Sequence, residues 1–268
     1  MSALLDLPLR ADGAALAALR ELDGVATVHD VYDVVGSAIY DDLAQLDRHE
    51  VPELTRALRH VRGPVLELAA GSGRLTLPLL ALGLEVHALD LSASMLDLLG
   101  ERLETVPQRM RERCRPVQGD MAAFELPQTF DAVVLGTTSV SLLEPAARRS
   151  MLRCVARHLA PDGVFLLSTV ARTRSDASEP DVLRGASGRT YRLFEEWPDS
   201  TDACTIVIVP DPDPAGAVQV CTSVVNVVDT AVLGAELQEA GLVVTAVHPL
   251  APAGAGRTAT LLETRAAR

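Results

Sequence analysis

The chain contains no lysine: all 24 of its basic residues are arginine. That absence removes a Schiff-base amine and the lysine of a phosphate-binding P-loop together. Aromatic residues are scarce at 3%, with a single tryptophan, and the net charge is −12. Nucleic-acid binders need a basic footprint and often stacking rings, so nucleic acid is not expected as a partner. Cysteine is sparse as well. Cys114, Cys154, Cys204 and Cys221 are too widely spaced for a metal knuckle or a C-x-x-C redox pair. They read as reduced, half-buried thiols of a cytoplasmic protein. Long apolar runs are also missing, each one breaking well short of the roughly 18 residues that a membrane span needs. The opening segment MSALLDLPLR carries Asp6 within its apolar residues and has no basic stretch before them, so no secretory signal is expected. The six histidines (His29, His49, His60, His87, His158 and His248) are scattered without ligand spacing, and no metal site is expected.

What is present is an ordinary globular composition, 48% hydrophobic and 22% charged over 268 residues. At roughly 100–200 residues per domain, that length predicts one large domain, or one domain with a modest appendage. The charge is unevenly distributed. Residues 1–60 hold eleven acids and five arginines, residues 176–213 hold nine acids and three arginines, and the remainder balances. Such segments are either solvated surface or, if gathered over one site, a field that attracts cations and repels anions.

Helical spacing is found over 12–21, 30–47 and 52–60, with Pro52 in a first-turn position. From Pro64 the rhythm changes to strands alternating with helices. PVLELA, EVHALD, RPVQGD, FDAVVLG and VFLLSTV are the five strands, and Ser92 is placed to cap the helix that runs to about Leu103. Helices over Arg74–Leu82 and about Pro145–Leu159 complete the alternation, which predicts a parallel sheet covered on both faces. From about residue 188, RTYRLFEEW, CTIVIVP and VQVCTSVVNVV follow one another without helices, predicting an antiparallel insertion. A helix ended by Gly241 and two further strands close the chain.

The turn Ala69-Ala70-Gly71-Ser72-Gly73 follows the first strand and opens a helix. Small residues there let a ligand approach the backbone, beside free N–H groups. A dinucleotide site asks for a glycine at the sixth position of G-x-G-x-x-G. Counted from Gly71 that position is Thr76, and counted from Ala69 it is Arg74, so neither frame fits.

The ordered set Glu67-x-Ala69-x-Gly71-x-Gly73, Asp90 ending the second strand, and Gly119-Asp120-Met121 after the third resembles the class I S-adenosylmethionine (SAM)-dependent methyltransferases. Phe130–Val134 resembles that family's fourth strand, and Leu159–Gly163 its LxPGG-like turn. Ala69 stands where the family often has glycine. The resemblance covers about residues 61–170 closely and the last two strands more loosely. It implies a Rossmann-like, seven-stranded, mostly parallel α/β sheet with an N-terminal helical cap (1–60), a SAM-binding core (61–171 and 231–268) and an antiparallel β insertion (172–230) over the acceptor. It also implies site roles. Gly71 and Gly73 receive the methionine part of SAM and Asp90 the ribose hydroxyls, while Leu91 and Met95 pack on the adenine. Asp120 accepts from the adenine amino group beside the Met121 backbone, and Gly136 joins this cofactor set. Glu67 either orients the turn, meets the cofactor ammonium or serves as a buried structural acid.

For the acceptor, His29-x-x-Tyr32-Asp33-(x)6-Tyr40-Asp41-Asp42-Leu43 is similar to amine N-methyltransferases acting on aminosugars and peptide amines. The closer resemblance is to daptide-type peptide methyltransferases, which implies dimethylation of an amine at the modified C-terminus of a ribosomal peptide. Tyr32, Tyr40 and Thr138 are the expected catalytic residues, with Thr137, Ser139, Tyr191 and Trp197 as further acceptor contacts. A cationic amine also suits the acidic segments. An O-methyltransferase with His29 or His248 as base, and a non-catalytic SAM-binding module, stand as alternatives.

Overall fold

The computed structural model describes residues 9, 13–22, 24–136, 139–172, 179–197, 203–226, 228, 230–250 and 257–267. In chain order the elements begin with α1 (Ala14–Glu21), β1 (Ala26–Asp30), α2 (Val34–Ala44), α3 (Val51–Leu58), β2 (Val65–Leu68), α4 (Thr76–Ala81) and β3 (Val86–Asp90). Next come α5 (Ala93–Thr105), α6 (Gln108–Arg111), β4 (Cys114–Gln118), β5 (Phe130–Leu135), α7 (Pro145–His158) and β6 (Leu159–Arg172). Last are β7 (Asp181–Arg184), β8 (Thr190–Glu196), β9 (Ala203–Pro210), β10 (Val218–Asn226), α8 (Thr230–Glu239), β11 (Leu242–Pro249) and β12 (Arg257–Ala266).

The chain divides into two compact units, one of residues 1–47 with 174–227, the other of 48–173 with 228–268. The second is built on a seven-stranded sheet in the order β11-β12-β6-β5-β2-β3-β4. β2 pairs in parallel with β3 and with β5, and β5 with β6, while β12 runs antiparallel to both β6 and β11. This is the mostly parallel α/β sheet expected from the sequence. Alternation along β5 supplies both faces. Val133 and Leu135 join one core cluster with Met151, Leu152 and Leu237, while Ala132 and Val134 join another with Leu54, Leu79 and Leu99. A strand buried on both sides reads as a continuous apolar run, which is why FDAVVLG stands out in the sequence. Helix α3 belongs to this unit, because Leu54 and Leu58 pack into the second cluster with Val65 and Leu79. Residues 48–60 therefore separate from the N-terminal cap in which the sequence reading places them.

The other unit carries a five-stranded sheet, β1-β10-β9-β8-β7. β7 to β10 pair antiparallel, as the helix-free stretch predicts. The unexpected member is β1, which pairs in parallel with β10 from Ala26↔Val218 to Asp30↔Thr222. Helix α1 lies on this sheet through Ala15, Ala18 and Leu19, packed with Phe194, Val207 and Val220. Asp33 caps α2, its carboxylate accepting from the Val35 and Gly36 N–H groups. Charge follows the division closely. The unit of 1–47 and 174–227 holds eighteen acids and six arginines, a net −12, and the other holds eighteen of each.

All four cysteines are buried and none is in a disulfide. Burial pushes the Cys114 and Cys221 thiols up to about 12, so neither is a thiolate nucleophile near neutrality. No helix among the described residues is long and apolar enough to cross a membrane.

Candidate functional site

The carboxyl ends of β2 and β5 lie side by side, paired at Leu68↔Leu135. From β2 the chain proceeds to β3 on one side, while β5 and β6 lie on the other. A crevice at such a reversal is where open α/β sheets bind ligands. The turn after β2 fills its rim. Ala69, Gly71 and Gly73 all adopt positive φ, at 51°, 56° and 93°. At Gly71 a Cβ would meet nothing within 4 Å, so the backbone there faces open space. At Gly73 a Cβ would stand 2.5 Å from Leu99 Cδ1, so that glycine permits close packing of the turn on α5.

Each part of the turn is anchored by a different element. Asp90, at the end of β3, accepts from the Gly71 N–H through Oδ2 at 2.8 Å and from the Ser92 N–H through Oδ1 at 2.8 Å. Burial raises its carboxyl above the ordinary value, against the backbone N–H donors that lower it. A carboxylate has roughly four lone-pair positions, so with the Gly71, Ser92 and Leu91 N–H groups placed on it there is still capacity for a ribose hydroxyl. Arg102, on α5, donates to the Ser72 carbonyl at 2.9 Å and to its Oγ at 3.1 Å. Glu67, on β2, is buried and accepts from the Thr76 hydroxyl at 2.6 Å, joining strand to following helix beneath the turn. Of the roles open to Glu67, this contact is the structural, turn-orienting one. Burial, reinforced by the charges of Asp90 and Glu50, pushes its carboxyl up to about 8, while Thr76 and Arg74 pull it down. Arg74 in turn is ion-paired with Glu50, which is fully buried.

The remaining expected cofactor residues divide. Leu91 is 69% exposed and free to lie against a ring. Met95 is 1% exposed, so it is core rather than crevice wall; it sits on the inward face of α5 with Leu99 and Leu103. Asp120 closes a local turn, its Oδ1 accepting from the Ala122 N–H at 2.7 Å, and the residue is otherwise exposed. Met121 packs against the core beside it. Gly136 is tight: a Cβ there would lie 2.3 Å from Leu75 Cδ1 and 3.0 Å from Glu50 Oε1. The open backbone at Gly71, the spare acceptor capacity of Asp90 and the exposed Leu91 together fit a nucleoside-bearing ligand.

Tyr32 and Tyr40 form a ring pair with centroids 6.2 Å apart, tilted at 53°. They pack on a cluster containing Ile39, Ile208 and Tyr191. Tyr191 departs from its expected role as an acceptor contact. It is 2% exposed, and its hydroxyl donates to Asp42 Oδ2 at 2.6 Å. Ser187 donates to Asp42 as well, through its N–H at 2.6 Å and its hydroxyl at 2.7 Å. Burial alone would raise the Asp42 carboxyl, but these donors hold it below the usual range. Asp42 thus fastens α2 to the β7–β8 hairpin. Thr137 and Thr138 lie outside the described residues; Ser139 is buried in a short 3-10 turn, and Trp197 is partly buried. His29 is engaged on both sides, Nδ1 lying 3.0 Å from Asp33 Oδ2 and Nε2 2.7 Å from Gln219 Oε1.

Sequence reasoning misses Glu50, Arg74, Thr76 and Arg102 as members of the site. Thr76 and Arg74 enter the sequence argument only as misfits to the dinucleotide pattern.

Comparison with known proteins agrees with this geometry. The family described as "Methyltransferase domain" matches residues 65–163. A crystal structure of the glycopeptide N-methyltransferase MtfA complexed with S-adenosyl-L-homocysteine is 34% identical, covers 97% of this chain and 100% of that one, and superposes with a TM-score of 0.67. The SAM complex of the same enzyme is also 34% identical, covers 94% and 96% of the two chains, and gives a TM-score of 0.65. The cypemycin N-terminal methyltransferase of a Streptomyces species is 29% identical over 125 residues, which is 46% of this chain and 45% of that protein. The match therefore spans about half the length of that relative. On the full-length likeness to MtfA, the chain belongs to the class I SAM-dependent methyltransferase family, with SAM as its cofactor.

Proposed function

We propose that this protein methylates an amine of a peptidic natural product. The observation that carries the reading is the likeness to a glycopeptide N-methyltransferase over nearly the whole of both chains. The name of the cypemycin relative points to a peptide amine too. Charge supports the same acceptor, since an amine arrives as a cation and one unit of this protein holds the entire −12 excess. The amine at the C-terminus of a daptide-type ribosomal peptide belongs to this class, and the notion of dimethylation rests with it.

When bound, SAM supplies an electrophilic methyl group on a sulfonium. Asp90 grips the ribose and fixes the Gly71 backbone at the same time. The Ala69–Gly73 turn, held from three sides, presents its backbone in a fixed orientation. Most of the rate gain then comes from alignment and from excluding water. The amine must attack as the neutral base, and proximity to a positive centre lowers its pKa toward that form. Its nitrogen lone pair takes the methyl carbon as the carbon–sulfur bond breaks, and the new ammonium releases its proton to solvent. No side-chain base is required for this. The O-methylation alternative does require one, and both ring nitrogens of His29 already face oxygen partners.

The test has two parts. Calorimetric titration should register SAM binding that Asp90→Ala largely abolishes; unchanged binding in that variant sinks the site assignment. Mass spectrometry of a peptide-amine product should place the methyl on nitrogen. A methyl on oxygen rejects the amine reading. Intact SAM binding without turnover across a broad amine panel favours the non-catalytic module instead.

A further inference from the structure

We propose that Glu50 is a positioning residue for the cofactor turn, acting through its ion pair with Arg74. The proposal rests on the cofactor reading of the Ala69–Gly73 turn.

Glu50 immediately precedes α3 and is 0% exposed; the Arg74 side chain is 8% exposed. Arg74 directly follows Gly73, so whatever holds its guanidinium holds the end of the turn. The carboxylate also faces β5, because its Oε1 lies 3.0 Å from the Cβ position of Gly136. β2 and β5 are neighbours, and the sheet reverses its connection between them. Glu50 therefore holds the end of the turn after β2 through Arg74 while lying close against Gly136 at the end of β5.

The other anchors come from within the β2–β3–α5 stretch, Asp90 holding Gly71 and Arg102 holding Ser72. Only the Glu50 anchor among these three comes from outside it. A helix that lies before the whole sheet in sequence thereby fixes the turn at its far end. A buried ion pair is weak evidence for stability, since apolar pairs of similar volume often serve the fold as well. Its use at this place is better explained by orientation. The turn must present the Gly71 backbone to the cofactor in one conformation, and a planar guanidinium paired through Nη2 with a fully buried carboxylate restrains the end of the turn.

The experiment replaces both charges together, Glu50→Leu with Arg74→Met, in the full chain. The double variant should unfold within a few degrees of the parent. It should also bind SAM and S-adenosylhomocysteine about 10–100-fold more weakly in calorimetric titration, the scale of loss for a misplaced binding group. The control is the pair of the same type between α7 and α8, where Arg148 contacts Glu236 at 2.5 Å and 2.9 Å. Arg148→Met with Glu236→Leu should leave both affinities unchanged. Parental SAM affinity in the Glu50→Leu, Arg74→Met protein overturns the inference, as does equal loss of affinity in the control. If the double variant fails to fold, Arg74→Lys decides. It keeps the charge but loses the planar fork, and should still weaken SAM binding several-fold at an unchanged unfolding temperature; parental affinity there refutes the role. Failure of the underlying site reading looks different, because then Asp90→Ala would also bind SAM normally.

Discussion

Gly71 and Gly73 share a turn and a positive φ, yet alanine at the two positions should fail in different ways. At Gly71 the backbone sits at φ 56°, inside the left-handed region, and a methyl group would meet no atom within 4 Å. Ala69, two residues earlier, already tolerates φ 51°. Gly71→Ala should therefore lose only the backbone term, about 1–2 kcal/mol. At Gly73 the φ of 93° is less accessible to alanine, and the new Cβ would stand 2.5 Å from Cδ1 of Leu99, a residue that is 0% exposed. Forcing a methyl into packed core adds about 1–3 kcal/mol, for a total of about 2–5 kcal/mol. For a domain of this size each kcal/mol is roughly 2–4 °C of unfolding temperature. Affinity should rank the other way per unit of stability lost. The methyl of Gly71→Ala projects into the space assigned to the cofactor, and should weaken SAM binding on the order of 100-fold. Thermal unfolding with and without SAM measures both effects, because a ligand raises stability by RT ln(1 + [L]/Kd). Gly71→Ala should unfold near the parent without SAM and gain little from it; Gly73→Ala should unfold early in either case. A Gly71→Ala protein that SAM stabilises as much as the parent, or a Gly73→Ala protein with parental stability, refutes the assignment of open space to one glycine and core contact to the other.

Two further outcomes follow from the carboxyls of Glu67 and Asp42. Glu67 titrates near 8 in the folded protein against an ordinary 4.5, so the native state holds a proton that the unfolded chain releases between those values. Its contribution is fully present below about 4.5 and declines as the pH rises toward 8. Glu67→Gln should flatten that decline in urea titrations; an identical pH slope in parent and variant contradicts the buried-proton account. Tyr191→Phe removes a donor from Asp42 and should lower stability by about 1–2 kcal/mol, with faster amide exchange at Ser187. Unaltered exchange there would show that the Asp42 contacts do not hold the hairpin.

Strands β2, β3 and β5 were legible because nearly every residue in them is buried, and burial on both faces writes itself as uninterrupted apolar sequence, whereas β4, mostly exposed at the sheet's edge, was legible only from its place in the alternation. The Gly-rich turn and Asp90 were legible because their spacing is set by strand and helix lengths. β1 and β7 were not. ATVHD is short and mixed in polarity, and it is made a strand by partners almost 200 residues away. All four residues of DVLR are exposed, leaving no inward face to read. Tyr191 was misjudged because a hydroxyl committed to Asp42 and one free for substrate look alike in sequence. Glu50 was invisible for a similar reason: among eleven acids in the first 60 residues, nothing local marks the one that is fully buried against an arginine 24 positions later.

Because one unit is a polyanion and the other is isoelectric, the two should respond differently to ionic strength. In dilute buffer the acidic unit strains against its own repulsion. Screening shortens to about 8 Å at physiological salt and relieves that strain. The neutral sheet has no comparable net repulsion to relieve. Added salt should therefore stabilise the acidic unit, with less effect on the neutral one.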